Sequence, residues 1–193
     1  MDCRDAIMTR RSVRAYQPDP IPEDILGRIM GAACSAPSAL NLQPWYFVVI
    51  QSPEPMAKLL ELMAPAPQRL DAELTQRFPN HPQVVADTKR FVQLLGGAPV
   101  CVLAFLTGGD THGRSQSTLL QSVAAATENL LLAAWNEGVA SCWLTAPLEA
   151  GLAQEIYDAF APEQGELTAL ITLGYPEKIP QAPKAKSGRY IVL

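Results

Sequence analysis

Pro37-Ser38-Ala39-Leu40-Asn41-Leu42-Gln43-Pro44-Trp45 runs straight into Tyr46-Phe47-Val48-Val49-Ile50. A short turn carrying Ser, Asn and Gln thus feeds a run of aromatic and β-branched residues of the kind that forms a buried strand. Upstream, Ile25, Leu26, Ile29, Met30 and Ala33 recur at helical spacing. Pro22 suits the first turn of that helix, and Glu23 and Asp24 suit its positive end. Pro37 closes the helical region, so helix, polar turn and strand follow one another directly.

The same signals continue outward. A short helix over about Cys3 to Thr9 precedes the loop Gln17-Pro18-Asp19-Pro20. Met56 to Met63 and Val84 to Leu95 read as helices, Val100 to Leu106 as a fully apolar strand. The stretch 64–98 carries prolines at 65, 67, 79 and 82, and its reading as a lid or an excursion stays open. Ser115 to Glu137 is the longest helix, stopped by Gly138 and apolar around most of its circumference, so it is expected to be buried on nearly all sides, in the core or at a subunit interface. Ala140 to Leu144 is a short strand, Leu148 to Phe160 a helix, and Leu167 to Gly174 a strand. The basic, proline-rich tail ends in Arg189-Tyr190-Ile191-Val192-Leu193, whose apolar residues need a surface in the chain's own sheet or on a partner.

With 193 residues, 48% hydrophobic and 18% charged, the chain reads as one globular domain over 1–193, with 178–193 as an arm. A net charge of −4 argues against a general nucleic-acid binder. Cys3, Cys34, Cys101 and Cys142 show no CxxC spacing and only two histidines accompany them, which argues against a structural zinc site. The scatter suits reduced thiols, Cys34 and Cys142 reading as small buried residues, and His81 and His112 as solvated loop residues. No signal peptide or membrane span is legible, so the expected location is the cytoplasm.

Against this acidic background stands Arg10-Arg11-Ser12-Val13-Arg14, three guanidinium groups and a hydroxyl in five residues. Planar forks of donors suit phosphate oxygens, and the side-chain amides of Asn41 and Gln43 suit a heterocycle edge offering donors and acceptors. A phosphorylated planar heterocycle satisfies both.

These residues resemble the FMN-dependent nitroreductase family. The resemblance rests on Arg10-Arg11-Ser12-x-Arg14, Pro37-Ser38-x-x-Asn41-x-Gln43-Pro44-Trp45, Glu128-Asn129-Leu130, Gly138-Val139-Ala140-Ser141-Cys142-Trp143-Leu144 and Gly174-Tyr175-Pro176. It implies an α+β fold with a mostly antiparallel central sheet flanked by helices. It also implies a homodimer whose C-terminal strand is exchanged onto the partner's sheet, with FMN at the interface.

By that resemblance Arg10 and Ser12 hold the phosphate and ribityl side of FMN, Arg14 approaches the pyrimidine edge, and Arg11 contributes through its backbone. Pro37, Ser38 and Asn41 approach the same flavin from the other subunit. Gln43 either joins them or ties the loop to the backbone, while Pro44 and Trp45 read as structural. Trp143, Leu144 and Thr145 line the flavin face away from substrate, where relatives carry Glu-Gly and this chain has Thr145-Ala146. Lys186 and Arg189 are the candidate phosphate-binding tail residues, with Lys184 competing.

The implied activity moves a hydride from NADH or NADPH through the flavin to a nitroaromatic, quinone or similar small-molecule acceptor by a ping-pong scheme. The flavin supplies that chemistry, so no residue of the chain need be a catalytic acid. No GxGxxG fingerprint is present, consistent with a nicotinamide that visits transiently. Two alternatives stay open: a specialised member, such as a dehalogenase or a flavin-consuming benzimidazole synthase, and a non-catalytic flavin-binding sensor or carrier.

Overall fold

The computed structural model describes residues 2–108, 111–161, 163–182 and 186–192. Its centre is β2 (Val100–Leu106), in which every residue is buried. A strand covered on both faces must be apolar at every position, which is why Val100-Cys101-Val102-Leu103-Ala104-Phe105-Leu106 shows no alternation. Cys101, Leu103 and Phe105 enter one core, while Val100, Val102, Ala104 and Leu106 enter the other. Fully burying one such aliphatic or aromatic side chain stabilises the fold by roughly 1.5–3 kcal/mol.

Around β2 the described strands form one antiparallel sheet in the order β1-β2-β4-β3, with β1 (Trp45–Ile50), β3 (Ala140–Leu144) and β4 (Glu166–Gly174). One face is covered by α2 (Glu23–Cys34) and α7 (Gln116–Asn136). Beneath the other lie α3 (Pro53–Met63), α4 (Ala66–Arg69), α6 (Pro82–Leu94), α8 (Ala146–Glu149) and α9 (Ala153–Phe160). α1 (Cys3–Thr9) packs on α7, and α5 (Asp71–Arg77) on α6. The α+β architecture and the antiparallel sheet are as expected.

Helix ends follow local chemistry. Asp2 caps α1 by accepting the Asp5 N–H at 2.8 Å, and Ser115 caps α7 by accepting from Thr118. Two of the prolines that make 64–98 hard to read open helices instead: Pro67 lies in the first turn of α4, and Pro82 starts α6, as Pro53 starts α3 upstream.

The structure corrects two expectations, the single helix over Leu148 to Phe160 and the burial of Cys34. The helix expected over Leu148 to Phe160 is two helices, α8 and α9, separated at Gly151, whose φ is +65°. In the single chain α7 leaves Ser117, Leu120, Gln121 and Asn136 exposed and Ala124, Ala125 and Glu128 half-buried. Cys34 is exposed, whereas Cys142 and Cys101 are buried. Among the described residues the tail adds no strand to the chain's own sheet, which leaves the other alternative, a partner, and Tyr190, Ile191 and Val192 are 89%, 78% and 85% exposed.

Candidate functional site

The basic segment is held in place from behind. Beyond α1 the chain runs beside edge strand β3, where Ser12 forms a parallel bridge with Ser141 and the Val13 N–H donates to the Ser141 carbonyl at 2.9 Å. The Tyr16 N–H donates to the Gly96 carbonyl at 3.1 Å, and the Gln17 N–H to the Tyr175 carbonyl at 2.9 Å. Val13 and Tyr16 are buried, and the Tyr16 hydroxyl lies 2.6 Å from the Val13 carbonyl and 2.8 Å from Thr172 Oγ1. Burial pushes the Tyr16 phenol far above its ordinary value, against the opposing pull of the Thr172 hydrogen bond, so it remains a neutral anchor. Arg14 lies on the exposed side of the same segment.

The three guanidinium groups have different surroundings. Arg10 Nε lies 3.6 Å from Glu128 Oε1 on α7. Arg11 donates to the carbonyls of Met8 at 3.1 Å and Arg10 at 2.6 Å, so its side chain caps the end of α1. Arg14 donates to the Ser12 carbonyl at 3.5 Å and lies over the Phe91 ring. Asn129, beside Glu128, donates from Nδ2 to the Ala32 carbonyl at 3.2 Å and ties α7 to α2.

Arg14, Trp143, Leu144 and Thr145 line one cleft of about 1290 Å³. The end of β3 forms one wall, with Trp143 37% exposed and therefore not a core residue, Leu144 buried and Thr145 exposed. The opposite wall comes from α5 and α6, through Arg77, Phe78, Arg90 and Phe91 among others. Sequence reasoning assigned no role to these four; the recurrence of Val84, Asp87, Phe91 and Leu94 along α6 is the signal that one helix face was set aside for a cleft. Cys142 also borders the cleft, but burial raises its thiol above the ordinary value and the charges of Arg14 and Arg10 offset that only in part. It is not a ready nucleophile.

Pro37, Ser38, Asn41 and Gln43 lie outside this cleft. Leu40, Asn41 and Gln43 have φ of +51°, +55° and +47°. Such left-handed conformations are costly for residues with a Cβ and persist only where surrounding bonds enforce them. Here Ser38 Oγ accepts the Gln43 N–H at 3.0 Å, Ser122 Oγ accepts the Ala39 N–H at 3.2 Å, and Gln43 Nε2 donates to Asn41 Oδ1 at 3.0 Å. Gln43 thus shapes the turn through Asn41. Pro44 and Trp45 are buried, whereas Leu40 is 63% exposed at the tip. Lys186 and Arg189 are exposed on the arm; Lys184 falls outside the described residues. Among the described residues no helix is long and apolar enough to cross a membrane.

A sequence profile of the Nitroreductase family matches residues 7–175. A protein of Archaeoglobus fulgidus, provisionally named an NADH dehydrogenase/NAD(P)H nitroreductase, is 30% identical over 177 residues, covering 91% of this chain and 86% of that protein. The crystal structure of a BluB-like flavoprotein from Clostridium difficile 630 is similar with a TM-score of 0.73 and 28% identity, covering 96% of this chain and 95% of that one. The FMN-dependent nitroreductase NfnB from Mycobacterium smegmatis, solved in complex with NADPH, shares the fold with a TM-score of 0.71 at 20% identity, over 98% of this chain and 97% of that one. The match spans the basic segment, the strained turn and the end of β3 together, and on it the chain belongs to the nitroreductase family.

Proposed function

We propose that the protein is an FMN-dependent oxidoreductase that passes a hydride from NADH or NADPH to a nitroaromatic, quinone or similar acceptor. The observation that carries this reading is the cleft that brings Arg14 together with Trp143, Leu144 and Thr145. Its volume of about 1290 Å³ exceeds the roughly 300–1,000 Å³ of ordinary small-molecule pockets. That leaves room for a flavin and a second planar molecule.

The donor set fits FMN. Arg10 and Ser12 would hold the phosphate and ribityl side, with Glu128 fixing the Arg10 side chain. Arg14 would place a positive charge at the pyrimidine edge, where reduction adds negative charge. The buried Ser141 hydroxyl, on β3 beside Ser12, has no hydrogen-bond partner among the described residues. Trp143, Leu144 and Thr145 would back the ring and shield that face from water. FMN, when bound, supplies the hydride chemistry, so the chain's own residues bind and orient.

A second copy of the chain would complete the site. Pro37, Ser38 and Asn41 stand in an exposed, strained turn away from the cleft of their own chain. β1 lies at an edge of the sheet, and the apolar arm is bare. In this reading 1–193 is one domain, the arm crosses to the partner, and Lys186 and Arg189 reach its FMN phosphate. The free cysteines suit a reducing, cytoplasmic setting. Steady-state kinetics test the activity: parallel double-reciprocal lines for NADH or NADPH against menadione are expected, and absence of turnover with every acceptor in FMN-loaded protein would contradict it.

A further inference from the structure

The charged residues that border the cleft leave a small positive excess. The chain is net negative at −4, yet Arg14, Arg77 and Arg90 border the cleft against Asp87 and Glu177. Asp87 keeps its charge but is held to its own helix, its Oδ1 accepting from Gln83 Nε2 at 2.8 Å. Lys89, the neighbour of Arg90, is paired with Asp71 at 2.6 Å. Among the described residues neither Arg77 nor Arg90 has an ion-pair partner. The Arg77 guanidinium lies 5.8 Å from the centroid of the Phe78 ring, a stacking that leaves its fork of donors available. Cations left unpaired inside a cleft with apolar walls focus a positive potential on whatever enters.

We infer that Arg77 and Arg90 make the outer cleft selective for anions: the molecule seated beside Phe78 and Phe91 carries a phosphate or carboxylate on its planar framework. This rests on the reading of the cleft as the place where FMN meets its second substrate. The anion has two possible sources, the 2′-phosphate of NADPH or an acidic group on the electron acceptor. Both present the same oxygens to a guanidinium.

Equilibrium binding separates them without relying on turnover. FMN-loaded wild type and the Arg77→Gln/Arg90→Gln double variant are titrated by calorimetry with two matched pairs. One is p-nitrobenzoate with p-nitrobenzamide; the other is 2′-AMP with adenosine. The expected result is a loss of about tenfold in affinity for the charged member of at least one pair, with its partner unchanged within about twofold. Raising salt from about 50 to about 500 mM should reproduce that loss in the wild type. Loss for p-nitrobenzoate assigns the wall to the acceptor, and loss for 2′-AMP assigns it to NADPH. Arg77→Lys/Arg90→Lys, which keeps the charge, should retain most of the affinity and guards against a folding artefact. Equal losses for both members of a pair, or no loss in either pair, overturn the inference. Protein that takes up no FMN contradicts the cofactor reading instead, and the same titrations on that protein still read the anion preference.

Discussion

The guanidinium carbon of Arg14 lies 5.8 Å from the centroid of the Phe91 ring. Arg14 comes from the segment beside β3 and Phe91 from α6, so this contact joins the two walls of the cleft. Its consequence is electrostatic: a charge held at a fixed place stabilises a developing negative charge better than a mobile one. Phe91→Leu should lower the midpoint potential of bound flavin by about 10–20 mV, the equivalent of roughly 0.5–1 kcal/mol for an exposed cation–π contact. Arg14→Gln should lower it further, on the order of 30 mV or more. Spectroelectrochemical titration measures both, and unchanged potentials would deny Arg14 its place at the ring.

Gly96 supports the same residue from below. A Cβ at Gly96 would come within 2.5 Å of the Arg14 carbonyl oxygen, and its φ is +66°. Gly96→Ala should therefore cost about 1–3 kcal/mol of stability. It should also weaken FMN binding, read by thermal melting and by flavin titration.

Removing the arm separates fold from assembly. The described tail residues beyond Ile179 are exposed, so deleting 179–193 should leave the thermal midpoint of the monomer fold nearly unchanged. Sedimentation should show a weakened dimer, and FMN affinity should fall by about tenfold or more with the loss of Lys186 and Arg189. A truncated chain that still dimerises and binds FMN normally would exclude strand exchange.

Buried thiols set the alkaline limit. Burial pushes the Cys101 thiol from 9.0 up to about 12. The folded state therefore keeps a proton that the unfolded chain releases above about pH 9. Stability is full below that pH and is lost as pH rises toward 12, by up to about 1.4 kcal/mol per unit from this group. Cys101→Ala should flatten the decline in melting temperature between pH 9 and 11 relative to wild type. An unchanged slope would show that Cys101 does not carry it.

Where one residue's surroundings depend on its own neighbours in sequence, the chain was legible. β2 is apolar throughout because it is covered on both faces, and α7 is long, capped by Ser115 and stopped at Gly138. The basic segment and the polar turn were found because unusual residue types cluster there. Helix α6 was legible from Val84 on, but the short helices α4 and α5 were obscured because proline breaks a helix from within yet starts one at its first turn, and composition alone does not distinguish the two. The cleft wall was missed for a different reason. Arg77, Phe78, Arg90 and Phe91 are distant from Trp143 in sequence, and only the fold sets them opposite it. The exposed Cys34 and the half-open face of α7 depend on what stands next to them in space, which periodicity does not reveal.

The most direct test of the account is the visible spectrum of purified protein, recorded without oxygen before and after adding NADH or NADPH. A yellow protein that bleaches within seconds and recovers its colour with menadione or a nitroaromatic is the predicted result. A colourless protein that also fails to take up added FMN would contradict the central claim.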